Sequence, residues 1–192
     1  MKSSVVFFLS LCCCVVPWCD TRITSSPFGW TKVNTKPHQC RLYTLKNRSN
    51  VSVNILDYGA TIVGISLPDK NNKFADIVMG FEDVSAYVEN PFNSHFGATV
   101  GRVVNRIGGA SFSIAGHRYN RVWEGHVEGE RLTLSYLSAD GEEGYPGQVL
   151  AHVTYWLSEM NELHVQMLAT ATKPTPINLA NHAYFNLAGH VN

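Results

Sequence analysis

The feature that most constrains this chain is a succession of short runs with β-like alternation, each closed by turn residues. Val51-Ser52-Val53-Asn54-Ile55-Leu56 alternates apolar and polar positions and ends at Asp57-Tyr58-Gly59. Thr61 to Leu67 is rich in β-branched residues and stops at Pro68-Asp69-Lys70-Asn71-Asn72, a turn by composition. Asp76 to Phe81 is a short apolar run, and Ser111 to Ile114 and Leu132 to Tyr136 alternate again. Val149 to Leu157 and Glu162 to Thr170 read as a hairpin closed by Ser158-Glu159-Met160-Asn161. Successive side chains of a strand point to opposite faces, so runs of this kind bury one face each and pair with their neighbours. The predicted fold is all-β, an antiparallel β-sandwich. One short helix is expected over Glu82 to Glu89, capped by Asp83 or Ser85. With no linker, charge block or internal repeat, a single domain is expected over residues 30–192.

The N-terminus is set aside from this reading. Lys2 precedes an apolar stretch from Val5 to Val16, broken only by Ser10. That stretch is too short for a bilayer span, which takes about 20 residues, but suits the core of a secretory signal peptide over roughly residues 1–20. Secretion is therefore the expected localisation, with no membrane attachment of the mature form. Cys12, Cys13, Cys14 and Cys19 fall in or beside this segment, which leaves Cys40 as the remaining thiol and no disulfide framework. The sequons Asn47-Arg48-Ser49 and Asn50-Val51-Ser52 fit a secreted glycoprotein.

Charge narrows the partners. The 192 residues carry 15 basic and 15 acidic side chains, a formal net charge of zero. Nucleic-acid binders and polybasic membrane-surface proteins need a basic excess, so the balance argues for a neutral small molecule. The eight histidines show neither H-x-H nor H-E-x-x-H spacing, and no metal site is read from them.

Two polar segments carry the candidate chemistry. Gly101 to Gly109 places Arg102, Asn105 and Arg106 among three glycines. Guanidinium forks and a side-chain amide suit the hydroxyls of a sugar or a carboxylate, although a strand edge with solvated arginines reads equally from the spacing. The second segment, Pro174 to Gly189, sets His182 between Asn181 and a Tyr184-Phe185 neighbourhood. An imidazole there can transfer a proton or serve as a structural hydrogen bonder. Asp140, Glu142 and Glu143 form an acidic cluster whose flanking glycines and Pro146 indicate a solvated turn.

Taken together, the ordered segments resemble the aldose 1-epimerase family, also called galactose mutarotases. G-R-V-V-N-R-I at Gly101 to Ile107 and N-H-A-Y-F-N-L-A-G at Asn181 to Gly189 carry the resemblance, with S-A-D-G-E-E-G-Y-P-G at Ser138 to Gly147 between them. D-Y-G-A-T-I at Asp57 and D-I-V-M-G-F at Asp76 add two matches in order. The resemblance implies a galactose mutarotase-like supersandwich that interconverts the α and β anomers of hexoses such as galactose and glucose, without a cofactor. It implies His182 as the proton donor to the ring oxygen, with Asn105, Arg106, His182 and Tyr184 as sugar-binding residues.

The chain also departs from the family pattern. An L-H-G-G segment with a second histidine is missing where Tyr119-Asn120 runs into Arg121-Val122-Trp123. The sequence given stops at Asn192, before the region where the family carries its glutamate base. General acid or base participation is typically worth about 100- to 10,000-fold, so this form is expected to have little activity. The alternative expectation is a secreted noncatalytic carbohydrate-binding or interaction module.

Overall fold

The computed structural model describes residues 21–33, 35–90, 95–105 and 121–189. The expected signal peptide, Arg106 and the run at Ser111 to Ile114 lie outside the described residues.

Alternation becomes layering. β1 (Arg22–Val33), β2 (Lys36–Lys46), β3 (Ser52–Leu56), β4 (Thr61–Pro68) and β5 (Phe74–Asp76) pair antiparallel in sequence order as one sheet. β7 (Glu124–Glu128), β8 (Arg131–Ser138), β9 (Val149–Leu157) and β10 (Leu163–Ala171) form a second antiparallel sheet, again in sequence order. A short pair, β6 (Thr99–Val100) with β11 (Ala180–Asn181), makes a third. The expected all-β antiparallel sandwich is what the chain forms.

One core lies between the two large sheets. Val53, Ile55 and Ile62 from the first sheet pack with Leu132, Leu134, Val153 and Tyr155 from the second. In β9 every odd-numbered residue from Val149 to Leu157 is buried, as period-two alternation demands of a strand with one core face. A register shift between Asn54 and Ile55 breaks that alternation in β3, so Ile55 and Leu56 are both buried, on different clusters. Leu56 joins Cys40, Tyr58, Val84 and Tyr87 in a second cluster beneath α1 (Val84–Glu89). The helix starts where expected, because the Asp83 side chain accepts from the Ser85 backbone N–H at 2.6 Å.

Two findings alter the sequence reading. β1 begins at Arg22, ahead of residue 30 where the domain was expected to start, and pairs along β2 as an edge strand. Asn47, one of the two sequon asparagines, is buried, and its Nδ2 donates to the Ser158 carbonyl at 3.0 Å and to Asn161 Oδ1 at 2.7 Å. An amide committed in this way has no room for a glycan, whereas Asn50 is exposed.

Candidate functional site

His182 is positioned by backbone pairing on both sides. Its N–H donates to the Ala98 carbonyl at 2.8 Å and its own carbonyl accepts from the Gly97 N–H at 3.0 Å, which extends the β6–β11 pair by a residue. On the other side, the Tyr184 carbonyl accepts from the Met79 N–H at 2.9 Å, and Val78 bridges Phe185. The segment is therefore an extended run held between 97–100 and 77–79. Asn181 reinforces it, donating through Nδ2 to the Gly97 carbonyl at 2.7 Å and accepting from the Ala183 N–H at 3.0 Å. Gly97 has φ +70°, and a Cβ there would meet the Ile62 carbonyl oxygen at 1.9 Å, so only glycine fits this approach.

The pairing leaves the His182 side chain exposed, beside an aromatic row. The His182 and Tyr184 ring centroids are 5.0 Å apart at 52°. Tyr184 meets Phe96 edge-on at 5.0 Å, and Phe96 lies 5.7 Å from Phe81, which meets Tyr87 of α1 at 5.0 Å. Edge-to-face rings favour each other beyond simple burial, and the row runs from exposed Tyr184 through half-buried Phe96 and Phe81 to buried Tyr87. The result is an imidazole at one end of an apolar aromatic strip, able to exchange a proton with whatever rests on that strip.

Asn105 reaches the same strand through its backbone neighbours. Val103 bridges Asn178, the Val104 N–H donates to the Asn178 carbonyl at 3.1 Å, and the Asn178 N–H donates to the Arg102 carbonyl at 2.6 Å. This fastens the 102–105 segment four residues upstream of His182. Asn105 itself is exposed with φ +70°, a left-handed conformation that interrupts strict strand alternation at the point where the polar pair begins. The structure thus brings His182 and Tyr184 into contact and puts Asn105 on the adjoining segment.

Two features went unread in the sequence. Phe96 joins the strip by meeting Tyr184, 88 positions away, a relation no local pattern encodes. The acidic turn is not solvated throughout: Asp140 is exposed, but Glu142 Oε1 forms an ion pair with Arg121 Nη2 and accepts from the Tyr136 hydroxyl at 2.7 Å. No group of three metal-ligating side chains occurs among the described residues.

Comparison with known proteins bears directly on this arrangement. The family model described as Aldose 1-epimerase matches residues 41–192. The galactose mutarotase of Rattus norvegicus is 38% identical over 158 residues, covering 72% of this chain and 45% of that protein. The aldose 1-epimerase of Escherichia coli is 30% identical over 169 residues, covering 78% and 48%. A solved galactose 1-epimerase from Lactobacillus acidophilus superposes with a TM-score of 0.68 at 23% identity, over 87% of this chain and 54% of that one. An aldose epimerase homologue from C. elegans gives 0.64 at 29% identity, over 73% and 49%. The chain spans about half the length of the curated relatives it matches. With the family match running through both the strip and the segment fastened to it, the chain belongs to the aldose 1-epimerase family.

Proposed function

We propose that the exposed His182–Tyr184 end of this strip is the acid side of a mutarotase site for hexoses such as galactose. The observation that carries the reading is the His182–Tyr184 pair, an exposed imidazole 5.0 Å from an aromatic ring within the family-matched region. A pyranose has an apolar C–H face and a rim of hydroxyls. The face rests on Tyr184 and Phe96, while the Asn105 amide and the Arg106 guanidinium take hydroxyls as acceptor and donors. His182 gives its proton to the ring oxygen as the C1–O bond breaks. The anomeric hydroxyl loses its proton to a base on the far side of the sugar, with water as the minimal base. Rotation about C1–C2 and closure on the other face, with the protons returned, complete the exchange. Secretion is part of this proposal and rests on the N-terminal pattern; mass spectrometry of the mature N-terminus tests it.

The experiment is the rate of α-to-β galactose interconversion, followed by polarimetry against a buffer blank. An acceleration that scales with protein and vanishes in His182→Asn supports the reading; one acid group is worth about 100- to 10,000-fold. Galactose binding without acceleration points instead to a noncatalytic carbohydrate-binding module. Neither binding nor acceleration removes both readings.

A further inference from the structure

A cavity of about 90 Å³ lies where the acidic turn folds back on the second sheet. Among the described residues, Trp123, Tyr136, Tyr145, Leu179, Glu142 and Glu143 contribute to its walls, and it shares no described residue with the His182 strip. Its volume is several times the ~10–15 Å³ that one water needs, so it has room for a small organic molecule.

The charges around it are committed, with one exception. Arg102 is buried and spends its guanidinium on fixed acceptors: Ser138 Oγ from Nε at 3.1 Å and Nη2 at 2.9 Å, the Ala139 carbonyl at 2.8 Å and the Pro146 carbonyl at 3.2 Å. Arg121 is paired with Glu142, whose Oε1 also takes the Tyr136 hydroxyl. The exception is Glu143, which lines the cavity and whose carboxyl has no hydrogen-bond partner among the described residues. Burial, and then the charge of Glu142, push this carboxyl above the usual glutamate range.

The backbone at Glu143 points the same way. Its φ of +52° and ψ of 24° are left-handed, a conformation that a residue with a Cβ adopts at a cost and that recurs at functional positions. The open polar group is therefore an acceptor, and the Trp123 and Tyr136 rings, whose centroids are 5.6 Å apart, line the same cavity. Two arginines and two glutamates leave the walls without net formal charge, so long-range attraction selects neither a cation nor an anion, and the acceptor and the ring faces decide what fits.

We propose that this cavity binds a small neutral polyhydroxylated molecule, its hydroxyls donating to the Glu143 carboxylate and its C–H surface lying against Trp123 and Tyr136. The ligand can be a free polyol or the hydroxylated rim of a sugar. The site is separate from the His182 strip and does not depend on catalysis there.

The test follows the Trp123 indole N–H resonance in ¹H–¹⁵N spectra, assigned through Trp→Phe variants at Trp18, Trp30 and Trp156. The protein is titrated with erythritol and, separately, with methyl β-D-galactopyranoside, whose blocked anomeric centre cannot be turned over. A saturable Trp123 shift with either probe, present in wild type and in His182→Asn, is the expected result; which probe acts identifies the source of the hydroxyls. Glu143→Gly should weaken it at least about tenfold, the loss of one hydrogen bond to a charged group. That variant also relieves the left-handed strain, so its unfolding temperature should stay level or rise. A Trp123 resonance indifferent to both probes, or a shift undiminished in folded Glu143→Gly, overturns the proposal. The anomer-exchange rate is read separately, so the failure of either reading is distinguishable from failure of the other.

Discussion

The Tyr155 hydroxyl donates to the Ala60 carbonyl oxygen at 2.8 Å, tying an inner strand of the second sheet to the β3–β4 turn of the first. Tyr155 is fully buried, and Thr99 Oγ1 approaches both groups, at 3.3 Å from the phenol and 3.2 Å from the carbonyl. Burial pushes the phenol up to about 12, so it remains a donor across the working range of pH. The contact links both sheets to the strand that pairs with β11, and so to the His182 strip.

Removing only that hydroxyl should cost little, because Thr99 keeps the Ala60 carbonyl partnered. Tyr155→Phe is expected to lose about 1 kcal/mol, while Tyr155→Ala, which also leaves a cavity, loses about 4 kcal/mol. Urea denaturation of both variants checks this. A Phe variant as unstable as the Ala variant would show that the hydrogen bond, not the ring, carries the junction.

Arg102 holds the acidic turn against the sheet through the contacts to Ser138, Ala139 and Pro146. Lysine keeps the charge but cannot reproduce a planar fork of donors. Arg102→Lys is therefore expected to destabilise by about 3 kcal/mol, with partly unsatisfied carbonyls and a less solvated cation. A loss below about 1 kcal/mol in chemical denaturation would mean that the turn holds its place without the guanidinium.

Asp57 supplies an unusual pH dependence. It is 4% exposed, Oδ2 accepts the Arg41 N–H at 3.0 Å, and Oδ1 is buried with no hydrogen-bond partner among the described residues. His38 Nε2 stands 4.0 Å from Oδ2, and the Cys40 thiol also interacts with this carboxyl. Burial outweighs these contacts and pushes Asp57 up to about 6. The folded form thus holds its proton more tightly than the unfolded chain, whose carboxyl titrates near 3.9. This contribution to stability is fully present below about pH 4 and is lost as pH rises through 6, by at most about 3 kcal/mol. Because other carboxylates titrate too, the difference between wild type and Asp57→Asn is the quantity to follow. Denaturation midpoints from pH 4 to 7 should show wild type falling relative to the variant, and a flat difference would refute the assignment.

How much of this was readable depended on the range of the interaction. The β9–β10 hairpin was legible because each strand carries its own alternation and a short turn joins them. β1 was not, because Arg22 to Val33 is mostly exposed and is held by pairing with β2 rather than by a buried face. Pro27 and Gly29 flank the register shift there, and an edge strand tolerates both. The acidic turn misled for a related reason: Glu142 is drawn inward by Arg121, 21 positions away, and composition alone reports only that the segment turns. At the strip, His182 and Tyr184 came from a resemblance between whole segments. Spacing left His182 as easily a structural hydrogen bonder, and the exposure of its ring is a tertiary fact.

Asn105 allows backbone and side chain to be separated. Its left-handed φ of +70° favours glycine, and asparagine adopts it more readily than other residues. If the amide takes a sugar hydroxyl, Asn105→Gly keeps the backbone, removes the contact, and should weaken galactose binding about tenfold, with little change in stability. Asn105→Ala should weaken binding equally and also destabilise by about 1 kcal/mol, the added strain of a Cβ without the local hydrogen bonding of asparagine. Titration calorimetry with galactose and thermal unfolding, run on both variants, give the two readouts. Undiminished affinity in Asn105→Gly with a loss only in Asn105→Ala would assign this residue to the turn alone and leave hydroxyl recognition to its neighbours.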